Sequence, residues 1–321
     1  MKKTSALAVL LSIVIIVGVL RNLNIIAPPV ISACMSAEIG FFSRQLSASS
    51  EMPAEKAGRL YMARAAAYFV KHDYAHAIAD CDKAVGRDPK NTTVYNLRGD
   101  AYMASGDFKN AADDFETLAG LEQSIDGKIA AANSLANACV RSGDEQRAIG
   151  MFDALLKSYP ENAAVIRYRG SAYGKFGDLD RAIDDYSKAV ELDPKNAEYY
   201  YGRGVFFYRK EAYQKAIDDF NASIKLNPDK ASSFYNRGTC YYRLGNDDVA
   251  YSDFVRVMEL RPYKSIFQMR ILYKIAAVGI SDITGARMDK WRGRRHDRPG
   301  GPGTGQGNQG AQRGFDDIYQ P

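Results

Sequence analysis

A motif returns every 34 residues through the middle of this chain, and that fixed period constrains the fold more than any other property of the sequence. It reads Arg98-Gly99-Asp100-Ala101-Tyr102, then Arg169-Gly170-Ser171-Ala172-Tyr173, Arg203-Gly204-Val205-Phe206-Phe207 and Arg237-Gly238-Thr239-Cys240-Tyr241. Self-similarity at this period marks stacked units, none of which can bury an apolar face alone. It argues against a closed globular core, and with it against an enzyme.

Six units align, at 58–91, 92–125, 129–162, 163–196, 197–230 and 231–264, with Asp126-Gly127-Lys128 inserted between the second and third. In the last three units the eighth position is Gly170, Gly204 and Gly238, and the twentieth is Ala182, Ala216 and Ala250. Small residues there let two antiparallel helices approach closely. Aromatic side chains at Tyr173 and Tyr186, Phe207 and Phe220, and Tyr241 and Phe254 fill the space between one helix pair and the next. The steps Gly106-Asp107, Gly143-Asp144 and Gly177-Asp178 end a first helix and offer an N-cap to the second. Pro194, Pro228 and Pro262 end second helices by removing a donor, and Asn91, Asn162 and Asn196 are positioned to cap the helices that follow.

These residues, in phase over 58–264, resemble the tetratricopeptide repeat family. The resemblance implies an all-α fold, a right-handed superhelical solenoid of antiparallel helix pairs with a concave groove that takes a peptide or protein segment. In this family the groove is lined by positions two, five, nine, twelve and thirteen of each first helix. That assigns Asn133, Asn137, Arg167, Ser171, Lys175, Tyr201, Tyr208, Arg209, Tyr235, Tyr242 and Arg243 to the groove, with Phe69 and Met103 in the more apolar first two units. Cations interleaved with aromatics suit an acidic, aromatic-bearing partner. The Lys/Asn set with which some members of the family clamp chaperone tails is missing from any three successive units, so chaperone-tail binding is disfavoured.

The seventh position is Arg64, Arg98, Arg169, Arg203 and Arg237, and the twenty-third is Asp80, Asp114, Asp185, Asp219 and Asp253. The third unit breaks both at once, with Leu135 and Met151. A charge pair exchanged as a whole for an apolar pair predicts a partly buried ion pair inside each repeat.

The remaining composition narrows function by exclusion. A formal net charge of +5 over 321 residues says little about partners. The four cysteines are too scattered for a disulfide framework, and Cys81, Cys139 and Cys240 fall at or beside packing positions. His72 and His76 lie four apart, but His72 occupies a turn and no third ligand beyond Asp73 is near, so no metal site is expected. No phosphate loop, nucleophile elbow or cofactor motif is present.

The ends carry different signals. Lys2 and Lys3 precede an apolar run, Ala6–Leu20, so residues 1–33 read as a signal-anchor or signal peptide, with 34–57 as a linker. Pro28 after Ala27 is a poor cleavage context, which favours a retained anchor and exported repeats, in the periplasm or another extracytoplasmic space. The alternatives are a secreted protein or a lipoprotein modified at Cys34. Residues 265–283, with Ile266, Phe267, Ile271, Leu272 and Ile275, are expected to cap the last repeat. Residues 284–321 are expected to form a basic and then Gly-rich disordered tail ending in Phe315-Asp316-Asp317-Ile318-Tyr319, which has the character to occupy the groove of its own or a neighbouring chain. Nucleic acid is not expected as a partner. The expected function is a membrane-tethered, non-enzymatic interaction module; the alternative is a broad-surfaced assembly factor of an envelope complex such as a pilus, secretion or outer-membrane assembly machine.

Overall fold

The computed structural model describes residues 28–47 and 52–260, and every element among them is α-helical. A leading helix α1 (Pro28–Ser47) is followed by six helix pairs: α2 (Ala54–Val70) with α3 (Tyr74–Val85), α4 (Thr92–Ser105) with α5 (Phe108–Leu121), α6 (Ile125–Ser142) with α7 (Glu145–Ser158), α8 (Ala163–Phe176) with α9 (Leu179–Leu192), α10 (Ala197–Arg209) with α11 (Tyr213–Leu226), and α12 (Ala231–Arg243) with α13 (Asp247–Leu260). The first helices of neighbouring pairs approach one another more closely than any two second helices do, so they form the inner layer.

The turn chemistry follows the sequence. Gly106, Gly143 and Gly177 take positive φ at the ends of α4, α6 and α8, and the next residues, Asp107, Asp144 and Asp178, accept from backbone N–H groups of the following helix. Asn162 and Asn196 cap α8 and α10 through their side chains, whereas Asn91 begins α4 without a side-chain bond. The same left-handed position is held by His72 and Glu211 in the first and fifth units.

Five arginine–aspartate pairs form as the sequence predicts. In each, Nε and one terminal nitrogen grip the two carboxylate oxygens at 2.6–2.9 Å, and each aspartate is buried. The other terminal nitrogen reaches back to the preceding second helix, where it finds Asp82 from Arg98, Asp153 from Arg169, Ser187 from Arg203 and Asn221 from Arg237. One guanidinium thus ties three helices together. Leu135 and Met151 instead join an apolar cluster.

The third unit departs from the others in packing. Its α6 lies more extensively against α5 than against its own partner α7, and α7 touches both α6 and α8 more thinly than its counterparts touch their neighbours. Two sequence features account for this. No arginine–aspartate latch draws α6 onto α7, and the inserted Asp126-Gly127-Lys128 is not a loop but an added N-terminal turn of α6, capped by Ser124 onto Gly127. Arg147 compensates from the outer side, pairing with Asp113 at 2.8 Å and with Glu116.

The stretch read as a linker holds the body of α1 over residues 34–47. This helix packs on α2, burying Met35 and Phe42 completely, and its Ser43 accepts from Arg64 at 2.9 Å. Arg64 thereby meets α1 as the later arginines meet the second helix of the preceding pair, so α1 closes the first end of the stack. Cys34 is exposed on it. No described helix is long and apolar enough to cross a membrane. The apolar run of residues 6–20, the expected capping segment 265–283 and the tail 284–321 lie outside the described residues.

Candidate functional site

The proposed groove residues lie on the inner layer, and the structure divides them into two groups. On α6 and α8, Lys175 donates to Asn137 Oδ1 at 2.7 Å, bridging two first helices that run closer together than any other pair of first helices. About two turns back along α8, Arg167 stacks over Tyr168, 3.6 Å from guanidinium carbon to ring centroid. Arg167 and Ser171 both approach the hydroxyl of Tyr186, a side chain that α9 drives into the stack until only 5% is exposed. Gly202 on α10 is what admits that ring, since a Cβ there would overlap it. Asn133 is half-buried on α6.

The electrostatics of this patch are unbalanced. Among the described residues, the polar partners of Arg167 and Lys175 are neutral: a tyrosine and an amide. Burial lowers the pKa of Lys175 from its ordinary value, and the charge of Arg167 lowers it further. Burial also raises the pKa of Tyr186, against the opposing influence of Arg167 and Ser171, so the ring stays a neutral hydrogen-bonding partner. Two half-buried cations on one helix therefore influence each other, and among the described residues neither forms an ion pair with a carboxylate.

Further along, the tyrosines serve the stack as well as the surface. Tyr235 is 8% exposed with its ring 5.8 Å from that of Phe254, and Tyr201 sits 6.0 Å from Phe220 while accepting from Asn236 at 3.1 Å. Tyr208 packs at 5.7 Å from Tyr213 and its hydroxyl meets Arg243. Arg209 donates to the carbonyl of Gly174 at 2.7 Å, which ties α10 to α8 next to Lys175. Tyr242 stands half-buried at the end of α12. The position pattern thus places all eleven residues on first helices but does not reveal how far Tyr186, from a second helix, reaches toward Arg167.

A stack of paired helices with a polar, cation-bearing inner layer and no enclosed reactive centre among the described residues defines a repeat scaffold for binding other chains. The tetratricopeptide repeat family matches residues 96–163 and 168–231, and again 231–264. The chain belongs to the tetratricopeptide repeat family. It is similar to a tetratricopeptide repeat protein from Parabacteroides merdae, at 15% identity over 75% of this chain and 92% of that one, with a TM-score of 0.52, which supports the fold. It also matches YrrB, described as a TPR protein with an unusual peptide-binding site, at 21% identity over 60% of this chain and 95% of that one, with a TM-score of 0.39. The first TPR of Spaghetti (RPAP3), solved with an HSP90 peptide, matches at 29% identity over 36% of this chain and 93% of that one, with a TM-score of 0.31. No curated protein sequence matches the chain.

Proposed function

We propose that this protein captures an acidic, aromatic-containing segment of another protein on its inner layer, with Arg167 and Lys175 as the anchoring cations. Protein and peptide binding is the general role of the family; the acidic preference is carried by one observation, the two half-buried cations whose partners are neutral. A carboxylate entering between them would exchange water for charge-assisted hydrogen bonds in a partly desolvated setting. Aromatic side chains of the partner would meet the half-buried Tyr201, Tyr208 and Tyr242, with Arg209 and Arg243 beside them. In this reading the apolar run of residues 6–20 keeps the scaffold at a membrane, with the repeats on the exported side.

The binding test uses fluorescein-labelled peptides that carry Asp or Glu next to Phe or Tyr. Arg167→Glu and Lys175→Glu should each weaken capture at least tenfold, by about 1.4 kcal/mol or more. Unchanged affinity in both variants would remove the acidic site. The tether is tested by fractionation of the full chain: recovery in the soluble fraction under conditions that leave membranes intact would overturn it.

A further inference from the structure

The inner layer is not continuous. First helices come close at α2 with α4, at α6 with α8, at α8 with α10 and at α10 with α12, but α4 and α6 do not meet in this way. A hollow of about 290 Å³ opens instead, between the start of α4, the end of α5 and the added turn of α6. Thr93, Asn96 and Ser134 give it hydroxyl and amide groups, and Ala130 and Leu118 give it apolar wall. Its single charged group is Glu122, whose carboxylate lies over Gly127, where a Cβ would collide with it. Among the described residues, no cation forms an ion pair with Glu122, and no hydrogen bond reaches its carboxylate, although the side chain is half-buried. Asp100, exposed one turn beyond Asn96 on α4, adds a second acidic group on the same side.

We infer that this hollow is a separate side-chain pocket of the inner layer and that it takes a basic residue, lysine or arginine, from the segment whose acidic part sits on Arg167 and Lys175. The inference rests on the acidic-segment reading above and extends it: the partner would be dipolar, basic toward the α4 end and acidic toward α8. The chemistry fits in three respects. An extended ammonium or guanidinium stem matches the apolar wall of Ala130 and Leu118, with the charged head left at the polar end. Glu122 supplies the counter-charge, and Asn96, Thr93 and Ser134 supply acceptors for the remaining N–H groups. The Asp126-Gly127-Lys128 insertion supplies the space, because the turn it adds to α6 and its bare Gly127 together form one wall.

The test uses the full chain and a set of labelled peptides that share one acidic-aromatic half. A single lysine is walked through a Gly/Ser flank, and each peptide has a norleucine twin. At one spacing the lysine peptide should bind about tenfold more tightly than its twin. Glu122→Gln should erase that gain while leaving the norleucine peptide unaffected, and Ala130→Leu, which fills the hollow from the opposite wall, should erase it as well. The pocket is overturned if no lysine position gains, or if the gain survives both variants. The two readings separate through Arg167→Glu. If that change abolishes binding of every peptide while lysine never helps, the acidic site stands and the pocket falls. If it leaves all peptides unchanged, the acidic site falls and the pocket with it.

Discussion

Arg203 is bound at once to Asp219 of its own pair and to Ser187 of the pair before it, so its loss removes more than one contact. Arg203→Leu leaves Asp219 buried without its counter-charge and should cost about 3–5 kcal/mol. Arg203→Leu with Asp219→Met copies the arrangement of Leu135 and Met151 and should recover much of that loss in a urea-melt double-mutant cycle, whereas additive losses would contradict the coupling. The third unit made this pair legible, because both positions changed together there. The reach of the same guanidinium to the neighbouring pair was not legible: its acceptor varies among Asp, Ser and Asn, and no single residue type recurs at that position. Lys175 carries a pH prediction. Its pKa is lowered in the free protein, and a bound carboxylate would raise it again, so binding takes up a proton in the interval between the two. Affinity for an acidic peptide should therefore decline as pH rises, beginning below the ordinary lysine value of about 10.4. Titration by fluorescence anisotropy should show this decline, and Lys175→Gln should flatten it over the same range.

Helix α1 shows where sequence reading of elements ran out. Its residues follow a strongly apolar run, and without a repeat motif of their own they read as a connector. Met35 and Phe42 become core only because the first face of α2 has no other cover. Phe42→Ala should destabilise the chain by about 3–5 kcal/mol in chemical denaturation; a change below about 0.5 kcal/mol, as at an ordinary surface site, would mean that α1 is not part of the stack. The turns between paired helices were legible where Gly stands, at Gly106, Gly143, Gly177 and Gly245, and the exceptions are informative. Glu211 holds a left-handed φ of 59° at the end of α10, where most units have Gly. Glu211→Gly should raise stability by up to about 1 kcal/mol, since relief of backbone strain exceeds the entropy that glycine adds to the unfolded chain. A lowered melting temperature would show that the strain is already relieved by its surroundings.

Among the described residues the arginine ladder runs through five of the six pairs and skips the third, where α7 meets α6 through apolar contacts, α5 through Arg147 on the outer side, and α8 through Arg169 reaching Asp153. The period of 34 residues predicted the stack but not this irregularity, because a repeat pattern describes what units share, while Leu135, Met151 and the extra turn of α6 act only in combination. The hollow beside α6 was likewise unreadable from positions alone; the inserted Asp126-Gly127-Lys128 was its only trace in the sequence. The skipped rung also has a mechanical meaning. Pulled from its two ends, a solenoid transmits load from pair to pair, and each latch that clasps three helices resists shear. The third pair has no latch of its own between α6 and α7, and α7 is clasped only from the far side, where Arg169 reaches Asp153, so this pair should yield first, at the lowest force. Stretching single molecules between handles at the two ends should give an initial extension step the size of one helix pair. Grafting the latch, with Leu135→Arg and Met151→Asp together, should move that first step to higher force and turn the weakest link into one more rung.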